Sequence, residues 1–419
     1  MRFVDAGRAP APEVRLPSPS WSTAALASLL LFVAVLLAPS TTAGAVTTAA
    51  SPSPPQASLI SGTPPSPAVR LGPNSDIQGA VNAYPPGSAF LLTTGLYSEF
   101  TVVPKSDDSF YAQSGVVLDG DNQINSAFKD PLGQPVDGVR IIGPSTKSPL
   151  VIEDYGTKSH SQIAAVQSNT QSASGTAYSD GWRLQWLEVT DNMARGISLS
   201  NQMLVIQCVV TDNGRLGIGG GGNGVTIADS TVDDNGVNVA HKGWEAGGIK
   251  TVAHNVLIER NTIAGNGAPG VWTDGGATGV VITHNQLSAN KYGVQVEISR
   301  NVAVTSNAID SSEQQAVLVV GSDRVAVSGN AISDNHQGII VGGATRTGPA
   351  GIRLDDVQVS HNDVDDSGGS GLHQPVSADT TISFDWDHYV DSHFQWNGQP
   401  VTFATLQSMG QELHGTSQG

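Results

Sequence analysis

Val256-Leu257-Ile258-Glu259-Arg260-Asn261-Thr262-Ile263-Ala264-Gly265-Asn266, followed after three residues by Gly270-Val271-Trp272-Thr273, is the clearest copy of a phrase that the chain repeats. Apolar and polar residues alternate, an Asn follows each apolar run, and the alternation resumes behind a Gly. Alternation with period two is a strand signal, and Asn, Asp and Gly are turn formers. The phrase occurs eight times between Leu187 and Asn362, with the place of Asn261 taken by Leu187, Cys208, Ser230, Asn285, Asn307, Asn330 and Asn362. Successive spacings of 21, 22, 31, 24, 22, 23 and 32 describe coils of about 22 residues, two of them carrying insertions.

No stretch between these strands is long enough for a helix, which disfavours a doubly wound sheet or a β/α barrel. The period predicts an all-β solenoid, a right-handed parallel β-helix, with short helical caps at both ends. Inward Val, Ile and Leu of successive coils form one core, and each coil touches mainly its neighbours. The recurring Asn is expected to stack at a bend. Its amide would bond the backbone of adjacent coils, because a buried turn must satisfy its polar groups.

On these repeats the chain resembles the right-handed parallel β-helix, or pectin-lyase-like, superfamily, and weaker β-rich text from Val69 to Trp186 extends the pattern. The segment Phe394-Gln395-Trp396-Asn397-Gly398, with Phe403 and Gly410-Gln411-Glu412-Leu413-His414-Gly415, resembles the C-terminal end of several carbohydrate-active β-helix proteins. No family-specific catalytic signature of the pectate lyases is present. The resemblance implies a secreted, carbohydrate-active protein and leaves its reaction open.

The 37 acidic and 20 basic side chains leave a formal charge of −17, a surface that repels nucleic acid and anionic membranes. Cys208 is the single cysteine and occupies a ladder position, where a small buried side chain fits. Arg2, Arg8 and Arg15 precede the apolar run Thr23–Ala38, and Ala43-Gly44-Ala45 offers a cleavage site, so residues 1–45 read as an export signal. A retained anchor is the alternative. Residues 46–70 are rich in Pro, Ser, Thr and Ala, as in a disordered linker. The β-helix with its N-terminal cap is expected over 71–376 and a C-terminal capping segment over 377–419. Ser75-Asp76 ahead of Ile77, Ala80, Val81 and Tyr84 predicts a capped amphipathic helix that plugs the first coil. Phe403, Leu406 and Met409 would plug the last.

Aligning the strand behind each Gly puts Ile197, Ile218, Ile249, Val271, Val294, Val317 and Ile339 inside. The next position faces outward as Ser198, Gly219, Lys250, Trp272, Gln295, Leu318 and Ile340. Two residues further on, Asp274 and Glu297 become neighbours on consecutive coils, about 4.7–4.9 Å apart in the stacking direction. Carboxylates so placed repel when both are ionised, so the two can divide into an acid and a base. Either a retaining or an inverting glycosidase spacing is within their reach. The bland readings are a pair of surface acids, or calcium held by hard oxygen ligands.

The insertions support a site on this face. One brings His241, Lys242, Trp244 and Glu245 ahead of the Lys250 strand, and the other brings Arg346. Asp274, Glu297 and Glu245 are therefore the candidate catalytic residues. Lys250, Trp272, Gln295, Trp244 and Arg346 are the candidate substrate contacts, with Trp272 offering a ring face to a sugar. The run Gly219–Gly222 would serve as a groove floor. No cofactor is implied beyond possible calcium, and the expected partner of this monomer is a polysaccharide. The leading expectation is a secreted glycoside hydrolase. The alternatives are a lyase that eliminates across a uronate, with Lys250 and Arg346 neutralising the carboxylate, and a non-catalytic glycan-binding solenoid.

Overall fold

The computed structural model describes residues 58–157, 163–172, 175–237, 245–342, 349–365, 370–371 and 381–419. The expected export signal and residues 46–57 of the linker lie outside them. The alternating segments form three long parallel sheets along a solenoid. The first runs from Val69–Leu71 to Ile382–Asp385, the second from Gly95–Ser98 to Thr416–Gln418, and the third from Phe128–Lys129 to Gln337–Val341. One winding supplies one strand to each, as His254–Glu259, Thr262–Ala264 and Pro269–Thr273 do. Val256, Val280, Val302, Val325 and Val357 stack in register and are all buried, as are Ile258, Ile282, Val304, Val327 and Val359. Each such side chain contributes roughly 1.5–3 kcal/mol by leaving water, so a slip of register would cost every winding at once.

The Asn residues form two ladders, as the repeat predicts. In the first, Asn261 Nδ2 donates to Asn285 Oδ1 at 3.0 Å and to the Ile227 carbonyl of the preceding winding at 3.0 Å. Asn285, Asn307 and Asn330 repeat both bonds. The second ladder runs through Asn192, Asn213, Asn235, Asn266 and Asn290. This second ladder explains the recurring Gly. A Cβ on Gly217 would lie 2.7 Å from Asn235 Nδ2, and one on Gly248 would lie 2.9 Å from Asn266 Nδ2. The strand can close over the amides only where that atom is missing.

Cys208 sits in the first ladder, its N–H donating to Ser230 Oγ at 3.1 Å. It is 1% exposed, and burial pushes its thiol up to about 12. Alkylation by iodoacetamide at pH 8 is therefore expected only after unfolding. Labelling of the native protein at the rate of a free thiol would contradict this placement.

The N-terminal helix Ile77–Ala83 forms as expected, with Asp76 accepting from Gly79 N at 2.8 Å and Ile77 and Val81 buried. At the other end Thr402 caps the helix Phe403–Ser408, which buries Leu406. Met409 is 47% exposed and does not join the plug, because the helix ends one residue before it. Winding continues past residue 376. Ile382–Asp385 pairs with the first sheet and His388–Val390 with the second. The Pro-rich linker is also tied down from residue 58 onward. Ile60 N donates to Gln185 Oε1 at 3.1 Å, and Gln185 Nε2 returns a bond to Ile60 O at 2.8 Å.

Candidate functional site on the third sheet

The third sheet sets Gly219, Lys250, Trp272, Gln295, Leu318 and Ile340 side by side in the aligned register. Thr273 pairs with Val296, so Asp274 and Glu297 follow on adjacent rungs, both partly exposed. They are engaged differently. Asp274 reaches back one winding and meets Lys250 Nζ at 2.8 Å, whereas Glu297 accepts from Gln295 Nε2 on its own strand at 3.0 Å. Lys250 is the hub. Its ammonium stands 3.3 Å from the centroid of the Trp272 ring, and the charges of Asp274, Glu297 and Glu245 all act on it. Burial holds its pKa below the ordinary lysine value against those three acids. One face of Trp272 is thus covered by an ammonium, and its Nε1 is buried without a hydrogen-bond partner.

Glu245 is buried beneath this face rather than standing on a loop rim. It meets Arg215 at 2.6 Å and Arg195 at 3.9 Å, so it serves as counter-ion to two guanidinium groups. Trp244 and Arg346 lie outside the described residues, as do His241 and Lys242.

Beside Lys250 a groove of about 290 Å³ opens. Gly220 and Gly221 floor it, and Gln167, Asn169, Tyr178, Arg195 and Lys250 supply its polar lining. One wall is an antiparallel hairpin, Asn169–Ser172 with Gly175–Tyr178, that leaves the winding between the third-sheet strand Ala164–Gln167 and the first-sheet strand Arg183–Gln185. It is tied down where Asn169 Nδ2 donates to Ser198 Oγ at 3.2 Å and to Leu199 O at 3.0 Å. The phenol of Tyr178 lies over the floor, occupying the space that a Cβ on Gly221 would need. Of the run Gly219–Gly222, Gly220 and Gly221 line the groove, and Gly221 has no room for a side chain beneath Tyr178.

Arg195 and Tyr178 were not singled out in the sequence. Arg195 occupies the position before the recurring Gly, where later coils carry Leu216, Gly247, Pro269, Tyr292, Gln315 and Gln337. Reading the alignment one column earlier exposes it. Tyr178 belongs to an irregular insertion and leaves no periodic signal. Among the described residues no three His, Cys, Asp or Glu side chains converge as a metal site.

A model of the right-handed β-helix region matches residues 174–332. The fold is similar to the A-module of a mannuronan C-5 epimerase from Azotobacter vinelandii, with a TM-score of 0.56 and 15% identity over 82% of this chain and 95% of that one. It is also similar to XylC, solved with xylose, at 0.52 and 15% over 70% and 54%, and to the Dettilon tailspike protein at 0.50 and 13% over 83% and 68%. A search of curated proteins finds no match. The chain folds as a right-handed parallel β-helix, and the structures it resembles include a mannuronan epimerase module and a protein solved with xylose. At these identities the likeness is one of fold, and the site must speak for itself.

Proposed function

We propose that this chain is an exported protein that holds an acidic polysaccharide along the outer face of the third sheet and cleaves it by β-elimination. One observation carries the reading. In a protein of charge −17, the described lining of the groove contains Arg195 and Lys250 and no carboxylate. The acids nearby are turned to these cations as counter-ions. An anionic sugar in the groove therefore faces the cationic members of these pairs and no lining carboxylate, on an otherwise repelling surface.

The chemistry follows from that charge. Arg195 and Lys250 neutralise the carboxylate of a bound uronate, which makes the adjacent C–H more acidic. A base removes that proton from C5, its electron pair forms the C4–C5 double bond, and the C4–O4 bond of the uronate breaks, with O4 leaving on the departing sugar and taking up a proton. Tyr178, over the floor, is the side chain placed to exchange protons with the ring. Hydrolysis by Asp274 and Glu297 remains the second reading, favoured by their adjacent rungs on the solvent side.

The full chain, incubated with a panel of neutral and acidic polysaccharides, is expected to release unsaturated uronate ends, seen as ultraviolet absorbance, from an acidic polymer only. Lys250→Gln should lower that rate about a hundredfold, the scale for removing one charge-stabilising group. Reducing ends without unsaturation, lost on Glu297→Gln, would move the assignment to hydrolysis. Binding with no product of either kind would leave a glycan-binding solenoid.

A further inference from the structure

The amide ladder does not finish on an amide. Beyond Asn362 the next rungs are Asp387 and Glu412, both fully buried. Asp387 Oδ1 does what the Asn oxygens do, accepting from Asn362 N at 2.7 Å and Nδ2 at 2.8 Å. Glu412 Oε2 accepts from Asp387 N at 3.3 Å, and the Tyr389 hydroxyl donates to Glu412 Oε1 at 2.8 Å. The difference lies in the other side-chain atom. Asn362 Nδ2 gives a second bond to the Val327 carbonyl one winding back. Asp387 puts an oxygen in that place, beside the Glu412 carboxyl, and no N–H or hydroxyl reaches this buried Oδ2. An ionised pair of carboxyls has no hydrogen to give there.

We propose that the C-terminal end of the solenoid is closed by a proton shared between Asp387 and Glu412, and that losing this proton at alkaline pH loosens the cap. The groups facing the pair are Tyr389 from the adjoining strand and His361 from the turn before Asn362. The capping helix Phe403–Ser408 brings Leu406 and no charge. Among the described residues no Lys or Arg pairs with either acid. The hydrogen-bonded contacts His388–Asp363 and His414–Asp385 lie toward the surface. The cap covers the packed rings of Tyr389, Phe394 and Phe403.

Burial, reinforced by the Asp387 charge, pushes Glu412 up to about 8, and burial raises Asp387 to about 6. Both folded-state values stand above the ordinary carboxylate range of about 4. The protonated pair therefore contributes fully below that range, and its contribution is lost as pH rises through about 8.

Hydrogen–deuterium exchange of the full chain between pH 5 and 9, corrected for the intrinsic rate, tests this. The opening constant of cap amides such as Glu412 and Thr416 is expected to rise by up to about tenfold per pH unit and to level off above the upper pKa. The Asn285 amide should not follow. Glu412→Gln keeps an acceptor for Tyr389 and should remove the upper part of the rise. Asp387→Asn restores the missing Nδ2, removes the neighbouring charge, and should move the rise to lower pH. A flat profile in the wild type, or an unchanged one in Asp387→Asn, overturns the proposal even if Glu412→Gln does not fold.

Discussion

Replacing Asn285 by alanine is expected to cost about 2–6 kcal/mol of stability, the sum for two buried donors left without an acceptor. Asn285 Oδ1 accepts from Asn261 N at 2.9 Å and from Asn261 Nδ2 at 3.0 Å. Its own Nδ2 donates to Ile258 O at 2.9 Å and to Asn307 Oδ1 at 3.0 Å. Alanine removes all four bonds, and the neighbouring windings prevent water from replacing them. Asn285→Asp keeps the acceptor half and should fall between alanine and wild type. The next residue, Gln286, points outward, so Gln286→Ala should change stability by no more than about 0.5 kcal/mol. Urea midpoints at a common m-value measure the contrast. Equal midpoints for the Asn285 and Gln286 variants would show that the ladder is ornamental.

Glu245 is the second large effect, and it separates two roles for one residue. As the carboxylate shared by Arg215 at 2.6 Å and Arg195 at 3.9 Å, it holds two little-exposed guanidinium groups together. Taking away one partner of a buried ion pair leaves uncompensated charge and costs about 3–5 kcal/mol. Glu245→Gln is therefore expected to lower the unfolding midpoint and to disorder Arg195 in the groove, weakening retention of acidic polysaccharide together with stability. A catalytic acid would behave in the opposite way. If Glu245→Gln abolishes product release while leaving the thermal transition where it was, the counter-ion role is wrong. The same comparison applied to Asp274→Asn reports on Lys250, because the ammonium loses its 2.8 Å partner but keeps the Trp272 ring.

How far each feature was legible follows from its periodicity. The windings, the inward column from Ile197 to Ile339 and the amide ladders recur with the coil, so seven or eight copies corroborate one another. The outward column holding Lys250, Trp272 and Gln295 was legible for the same reason, since parallel register carries an aligned position straight to its neighbour. The cap was half legible. Leu406 plugs the end as spaced, but no period marks Asp387 and Glu412 as further rungs of the ladder, with Tyr389 buried beside them.

Amino-acid order alone was sufficient for the solenoid, because alternation, Asn and Gly are local demands that every coil repeats and each coil answers to its neighbours only. Three-dimensional packing was needed to bring Tyr178 and Gln167 over Gly221 and Lys250, to turn Asp274 back onto Lys250, and to sink Glu245 between two arginines. Those contacts join insertions and side-chain rotations that no period encodes, and their geometry is set by which charges find partners once water has been excluded.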